Sequence, residues 1–253
     1  MAEPISKQQM ACDEATAKSR IAENWSTVRQ SVSETAERCG RAPDSVRVVG
    51  VTKYVDAEIT GWLVEAGCHD LGENRPQLLE QKFQTLDDSS IRWHQIGNLQ
   101  RNKVRRLLPA DPLVHAIASE RLLDALHNES LLQSRSIDGL IEINVSEEAA
   151  KTGLPIEQLE PLLVHWRELA GSSTAGLKIT GLMAMAGWGT DEAAAARQFG
   201  KLRELRDQME SATGISLPEL SMGMSGDYPA AIAEGATLVR IGTRLFQGVL
   251  PTG

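Results

Sequence analysis

Lys53 ends a short apolar run, Val46-Arg47-Val48-Val49-Gly50-Val51-Thr52-Lys53, whose length and β-branched density argue for a buried strand rather than a helix. A lysine at such an exit has two readings. It is either a surface ammonium whose stem lies along the last apolar side chains, or an amine in a partly dry mouth, where desolvation leaves a neutral nucleophile able to form a Schiff base with an aldehyde. On this run alone the first is the default. Two further stretches bear on the choice. Ser221-Met222-Gly223-Met224-Ser225-Gly226-Asp227 leaves another predicted strand and opens a helix; its glycines let the backbone approach an anion, the Ser225 hydroxyl can donate to one, and the amides of the helix start point the same way. Arg240-Ile241-Gly242-Thr243 repeats the pairing of a glycine and a hydroxyl at a last strand exit. Asn74 and His94, taken singly, read as a helix cap and a core histidine. A shared strand-exit position with Lys53 is what makes them candidates. The methionines of Gly181-Leu182-Met183-Ala184-Met185 read first as core filling.

The elements that must position these residues alternate. A helix is predicted over 13–39 with Ile21, Trp25, Val28 and Val32 on one face, stopped by Gly40. Strands follow around Val48, Asp70, Trp93, Val114, Ile141, Thr180, Leu220 and Val239. Between them lie helical patterns at 56–66, 75–83, 99–108, 119–130, from about Pro155, at 191–211 and at 229–234. Eight strand and helix units in this length argue for one closed (β/α)₈ barrel of the TIM type, with an open doubly wound sheet as the alternative. The expected organisation is a single domain over 1–253, with an added N-terminal helix at 13–40 and the barrel at 46–248. In such barrels the site lies at the C-terminal ends of the strands, and phosphate is often held by the loops after the seventh and eighth. Those are the exits carrying Ser225 and Gly242-Thr243.

Composition removes several classes. The 253 residues are 42% hydrophobic, enough to bury a full core. A balance of 26 basic against 34 acidic residues gives a net charge of −8, which argues against nucleic acid or an anionic membrane as partner. The basic run Arg101, Lys103, Arg105, Arg106 is expected on a solvated helix face, and the acidic pairs Asp87-Asp88 and Glu147-Glu148 in loops. Cys12, Cys39 and Cys68 form no CxxC pair, so neither a disulfide framework nor a zinc site is expected. No metal-ligand spacing and no GxSxG elbow is present. The polar start of the chain, without an apolar signal region, makes the cytoplasm the expected compartment and a membrane span unexpected.

Val51-Thr52-Lys53, Gly72-Glu73-Asn74 with Gln77, His94-Gln95-Ile96-Gly97 with Leu99-Gln100 and Asn102-Lys103, Gly181-Leu182-Met183, the run 221–227, and Arg240-Ile241-Gly242-Thr243 occur in order. Together they closely resemble the YggS/PROSC family, the pyridoxal phosphate homeostasis proteins, over roughly 46–248. The resemblance implies a single barrel like the N-terminal domain of alanine racemase, with pyridoxal 5'-phosphate carried as a Schiff base. By position it makes Lys53 the Schiff-base lysine, Asn74 a residue beside the ring, Arg240 the partner of the pyridine nitrogen, and Ser225, Gly242 and Thr243 the phosphate contacts. His94 and Met183, within the matching motifs, complete the expected cofactor-binding set. Departures at Tyr54, Leu78 and Gln247 touch none of these contacts.

A guanidinium remains protonated and has no acceptor, so Arg240 at the ring nitrogen disfavours a pyridinium and weakens the ring as an electron sink. Racemases that resemble this site add a tyrosine from a C-terminal β domain across a dimer, and the chain ends at Gly253, just past the eighth strand. The leading expectation is therefore a carrier without catalytic residues that binds pyridoxal phosphate and buffers it or passes it to apo-enzymes, as a monomer or alternatively a dimer. A racemase-like enzyme using Lys53 with Tyr54 or His94 is the second reading. An aldolase-type barrel acting on a phosphorylated metabolite is the third.

Overall fold

The computed structural model describes residues 3–146, 152–171, 174–187 and 189–251; Glu147 and Glu148 lie outside them. Helix α1 (Glu14–Arg38) comes first. The Asp13 side chain caps it, accepting from the Thr16 amide at 3.0 Å and the Thr16 hydroxyl at 2.7 Å. Its stripe of Ala17, Ile21, Trp25, Val28, Val32 and Ala36 is buried. Each of the larger of these side chains contributes roughly 1.5–3 kcal/mol by leaving water, which is why this helix docks on the barrel instead of standing free.

The barrel then alternates strand and helix: β1 (Arg47–Val51), α2 (Ala57–Glu65), β2 (Asp70–Glu73), α3 (Pro76–Leu86), β3 (Arg92–Gln95), α4 (Val104–Leu107), β4 (Leu113–Ile117) and α5 (Glu120–Leu132). It continues with β5 (Ser136–Glu142), α6 (Leu159–Ala170), β6 (Gly176–Met183), α7 (Glu192–Thr213), β7 (Glu219–Met224), α8 (Tyr228–Ala233) and β8 (Leu238–Ile241). All eight strands are parallel and the sheet closes, β1 pairing with both β2 and β8. The closed barrel expected from the alternation is therefore present, and the open sheet is excluded.

Several boundaries differ from the sequence reading; α3 runs on to Leu86 past the expected end at 83, and α6 starts at Leu159 after a 3₁₀ turn. The helix expected over 99–108 is broken into a 3₁₀ turn at Arg101–Lys103, the single turn of α4 and a second 3₁₀ turn at Leu108–Ala110, because Pro109 cannot continue an α-helical ladder. Strand β5 (Ser136–Glu142) begins three residues before Gly139, where the sequence reading starts the strand, and its Asp138 lines a cavity at the barrel floor. The basic run is correspondingly spread over a 3₁₀ turn and α4, where Arg106 pairs with Glu80 at 2.9 Å. Asp87 takes a left-handed conformation after α3, and the Asp88 carboxylate accepts from the Ser90 amide at 2.8 Å. No helix among the described residues is long and apolar enough to cross a membrane.

The direction of β1 decides where Lys53 lies. Successive side chains of a strand face opposite sides. Arg47 lines the cavity at the N-terminal floor and Val49 packs inside the barrel with Ala116, Leu140, Met183 and Leu238; the strand ends at Val51, and Lys53 lies in the turn that leaves it. Lys53 therefore belongs to the C-terminal mouth.

Candidate functional site

Lys53 is half-buried just past β1, with its Nζ 5.0 Å from the ring centre of Tyr54. The segment before it is held by a buried ion pair that the sequence reading did not assign. Lys82 on α3 is 2% exposed; its ammonium donates to the Thr52 carbonyl at 2.9 Å and to Glu73 Oε1 at 2.5 Å, and the Thr52 hydroxyl donates to the same oxygen at 2.7 Å. Lys82 and Glu73 thereby tie the exits of β1 and β2 together one residue before Lys53 and one before Asn74. The signal was available in the sequence as a lysine within the apolar stripe of α3, between Leu79 and Leu86. A second support comes from Ile5, whose backbone pairs with the exit of β1 through Ile5 N–H to Tyr54 O (2.8 Å) and Asp56 N–H to Ile5 O (3.0 Å).

Asn74 follows β2 with its side-chain oxygen buried and without a hydrogen-bond donor. Its backbone carbonyl accepts from the Gln95 amide at 3.2 Å, as does that of Gly97. Gly97 has to be glycine, because a Cβ there would lie 2.6 Å from the Asn74 carbonyl oxygen. On the opposite side of the mouth the Thr243 and Ser225 hydroxyls meet at 3.2 Å, joining the exits of β8 and β7. Gly242 sits against β1, where a Cβ would approach that of Val51 to 3.2 Å and the Tyr54 ring to 3.3 Å. Its lack of a side chain lets the Ser225–Thr243 pair close in beside the Lys53 segment.

Arg240 lies beneath these loops, 5% exposed. One terminal nitrogen donates to the Ser221 carbonyl at 2.9 Å and to Ser221 Oγ at 2.5 Å; the other donates to the Ala184 carbonyl at 3.0 Å. Burial pulls its pKa down to about 10, against the charges of Asp227 and Glu142, so it stays cationic at neutral pH.

From Arg240 a chain of polar contacts crosses the barrel interior. Ser221 Oγ lies 2.8 Å from His115 Nδ1, His115 Nε2 lies 2.9 Å from His94 Nδ1, and His94 Nε2 lies 3.1 Å from Asp70, which also holds Arg92 at 2.8 and 2.5 Å. Burial alone would raise the Asp70 pKa, but the hydrogen bonds from Arg92 and His94 outweigh it and hold the carboxyl well below the usual range. Burial lowers the pKa of His94 and, further, of His115, so both rings are neutral. An ionised Asp70 only accepts, which fixes the proton of His94 on Nε2; His94 Nδ1 then accepts from His115 Nε2–H, and His115 Nδ1 accepts from the Ser221 hydroxyl. Every hydrogen in the chain points from Arg240 toward Asp70. The network leaves Ser221 Oγ as an acceptor for Arg240 and sets that guanidinium in place.

His94 and Met183 are therefore placed differently from expectation. Both nitrogens of His94 are occupied inside the barrel, and Met183 is 1% exposed in the inner apolar layer; neither offers an atom to a ligand at the mouth. Lys53, Asn74, Ser225, Gly242 and Thr243 sit at the strand exits, with Arg240 directly below them. Sequence reasoning missed Lys82, Asp70, His115 and Ser221, since each gains its role from a partner on another element. Among the described residues one group has atoms close enough for a shared cation, Glu120, Asp124 and His165 on α5 and α6. Its Asp124 and His165 hydrogen-bond each other at 2.7 Å.

The buried histidine pair predicts a pH dependence of stability. In the unfolded chain both rings take up protons near pH 6.5, whereas in the fold they resist protonation to lower pH. Their contribution is full above about pH 6.5 and is lost as pH falls from there toward their folded values, at up to about 1.4 kcal/mol per pH unit per ring. Asp70 contributes above its unfolded value of about 3.9 and loses that contribution only at lower pH. His165, raised by Asp124, acts in the opposite sense but is screened by solvent. Glu142, whose pKa burial raises, also opposes. The urea midpoint is expected to fall between pH 7 and 5, and the fall to be roughly halved in His115→Gln, a comparison that removes the opposing groups. Equal slopes for the two proteins would refute the assignment of neutral rings.

Comparisons with known proteins give the family and the fold. Residues 17–249 match the family model described as alanine racemase, N-terminal domain. A pyridoxal phosphate homeostasis protein of Aquifex aeolicus is 37% identical over 224 residues, covering 88% of this chain and 96% of that protein. Its counterpart in Escherichia coli K12 is 35% identical over 235 residues, covering 89% and 95%. Among solved structures, PipY of Synechococcus elongatus with PLP bound superposes with a TM-score of 0.77 at 30% identity, covering 89% of this chain and 99% of that one. With a closed eight-stranded barrel, a lysine at the first strand exit and relatives of this identity and coverage, the chain belongs to the pyridoxal phosphate homeostasis protein family, within the alanine racemase N-terminal domain fold.

Proposed function

We propose that the protein binds pyridoxal 5'-phosphate at the C-terminal mouth of the barrel and carries it on Lys53, serving the supply of this cofactor inside the cell by buffering or delivery to apo-enzymes, without turnover of its own. The observation that carries this reading is the convergence of Lys53, the Ser225–Thr243 hydroxyl pair and Arg240 at the exits of β1, β7 and β8. The donor set fits the group. Lys53 supplies an amine for the aldehyde, the two hydroxyls with Gly226 and Gly242 form a neutral cradle for phosphate, and Arg240 supplies a donor for the ring nitrogen. The unpaired Asn74 oxygen is an acceptor for a ring hydroxyl. When bound, the cofactor supplies a reactive aldehyde and a conjugated ring that takes up electrons.

The chain's own residues argue for holding over catalysis. Arg240 is cationic and only donates, so it disfavours a proton on the ring nitrogen. The relay to Asp70 keeps it in that role, since no group along the chain has a proton to give back to it. Tyr228 is 3% exposed, and its hydroxyl is engaged by Ser31 at 2.7 Å and Arg244 at 3.4 Å. Only Tyr54, beside Lys53, supports the second reading of a racemase-like enzyme.

The absorption spectrum tests the reading. Protein mixed with pyridoxal phosphate is expected to acquire a visible yellow band that borohydride removes, and a protein that stays colourless would refute it. Incubation with a panel of L-amino acids is expected to give neither racemisation nor loss of the α-hydrogen beyond a single equivalent. Sustained turnover that disappears in Tyr54→Phe would establish the racemase-like reading instead.

A further inference from the structure

Beside the anion loop a second cavity of about 530 Å³ opens between the exits of β5, β6 and β7, a size ordinary for a small-molecule site. Its feature is Glu142. Alternation along β5 puts Asp138 at the barrel floor, Leu140 in the inner layer and Glu142 at the mouth. The exit is fixed by the Leu154 amide donating to the Glu142 carbonyl at 2.7 Å and the Asn144 amide donating to the Leu154 carbonyl at 3.0 Å. Glu142 is 2% exposed. One of its oxygens accepts from the Thr152 hydroxyl at 2.8 Å, while the other, Oε2, is buried and has no donor.

A buried carboxylate oxygen without a donor is an unusual thing to keep, and no described residue completes it. The nearby Arg240 directs its hydrogen bonds to Ser221 and Ala184. Among the described residues lining the cavity there is a second carboxylate, Asp227, and no lysine or arginine. The remaining wall mixes the polar Asn144, Thr152 and Thr190 with glycines and apolar side chains, among them Met185 and Met224, which are 42% and 39% exposed although both are large hydrophobic side chains. The buried Glu142 oxygen and the flexible thioethers beside it select a ligand with a cationic N–H head and a short alkyl body.

We propose that this cavity binds a small primary alkylammonium ion, with Glu142 taking the ammonium group and Met185 and Met224 covering the alkyl chain. Because the cavity shares Met224, Gly226 and Asp227 with the anion loop, the inference deepens the proposed function by naming a second ligand class for the same mouth, and rests on that reading for the first ligand.

The test uses n-butylammonium chloride titrated into the full chain without added pyridoxal phosphate, followed by calorimetry and by the ¹³C-methyl signals of labelled methionine. Saturable binding that shifts the Met185 and Met224 methyls is expected, with n-butanol binding at least tenfold more weakly and Glu142→Gln losing at least tenfold in affinity. Binding of n-butanol equal to that of n-butylammonium, unchanged affinity in Glu142→Gln, or no saturable shifts would each overturn the proposal. Should Glu142→Gln fail to fold, the ammonium-against-alcohol comparison in the unaltered protein decides by itself. Adding pyridoxal phosphate to the same sample separates the two readings: a missing yellow band with retained ammonium binding defeats the cofactor reading alone, and the converse defeats this one alone.

Discussion

Replacing Lys53 by alanine is expected to abolish the visible band formed with pyridoxal phosphate and to remove the covalent adduct found after borohydride reduction, while the protein remains folded. The side chain is half-buried and its only described contact is the Tyr54 ring, so its loss opens no cavity in the core. The Ser225 and Thr243 hydroxyls and Arg240 persist, and with them a non-covalent affinity that inorganic phosphate should displace. Losing the tether is expected to weaken binding by at least a hundredfold, about 2.7 kcal/mol. In the reduced wild-type protein, mass spectrometry should place the adduct on Lys53. Lys82 cannot take its place, because its ammonium is enclosed between Glu73 and the Thr52 carbonyl. An adduct on any other lysine, or an undiminished band in Lys53→Ala, would remove the foundation of the proposed function.

The second large effect is expected at Lys82. Changing it to methionine leaves the Glu73 carboxylate at 0% exposure with only the Thr52 hydroxyl as donor, and removing one partner of a buried pair typically costs about 3–5 kcal/mol. For a chain of this size that corresponds to a fall in Tm of roughly 6–20 °C. Because the same ammonium holds the Thr52 carbonyl next to Lys53, yellow-band formation should also weaken in protein that is still folded at low temperature. The double variant Lys82→Met with Glu73→Leu removes both charges and should recover much of the stability, since an apolar pair of similar volume is often neutral in place of a buried ion pair, but not the anchoring of Thr52. Thermal scans of the three proteins check this. A single variant that loses less than about 1 kcal/mol would show the pair to be incidental.

Much of this protein is legible in the sequence. β-branched runs bounded by glycine and capped helices are local signals, so the eight strand and helix units and their order can be counted from the chain. Where they failed, the cause was also local: Pro109 interrupts a helical pattern. The apolar run carries the reading one step further, since its end places Lys53 at a strand exit without knowledge of any partner. The glycine and hydroxyl exits at Ser225 and at Gly242-Thr243 are equally local, and the barrel rule brings them to the same end.

What closure alone decided is who touches whom. His115 and Ser221 are 106 residues apart in the chain, and His94 and His115 are 21 apart. Their line of hydrogen bonds exists because strand register sets their inward side chains side by side. From sequence, His94 could equally have been a ligand contact; the structure turns it into a buried support for Arg240. Neither Lys82 nor Glu142 stood out in the sequence; the barrel buried both, enclosing the ammonium of one and leaving one carboxylate oxygen of the other without a donor. The sequence determined the scaffold, the chemical types at its mouth and the strand-exit position of Lys53, because these follow from short-range periodicity and turn chemistry. The tertiary structure decided the ion pair behind the lysine, the polarity of the relay beneath Arg240 and the unfilled carboxylate of Glu142, because hydrogen-bond satisfaction is a property of side chains that meet only when the sheet closes.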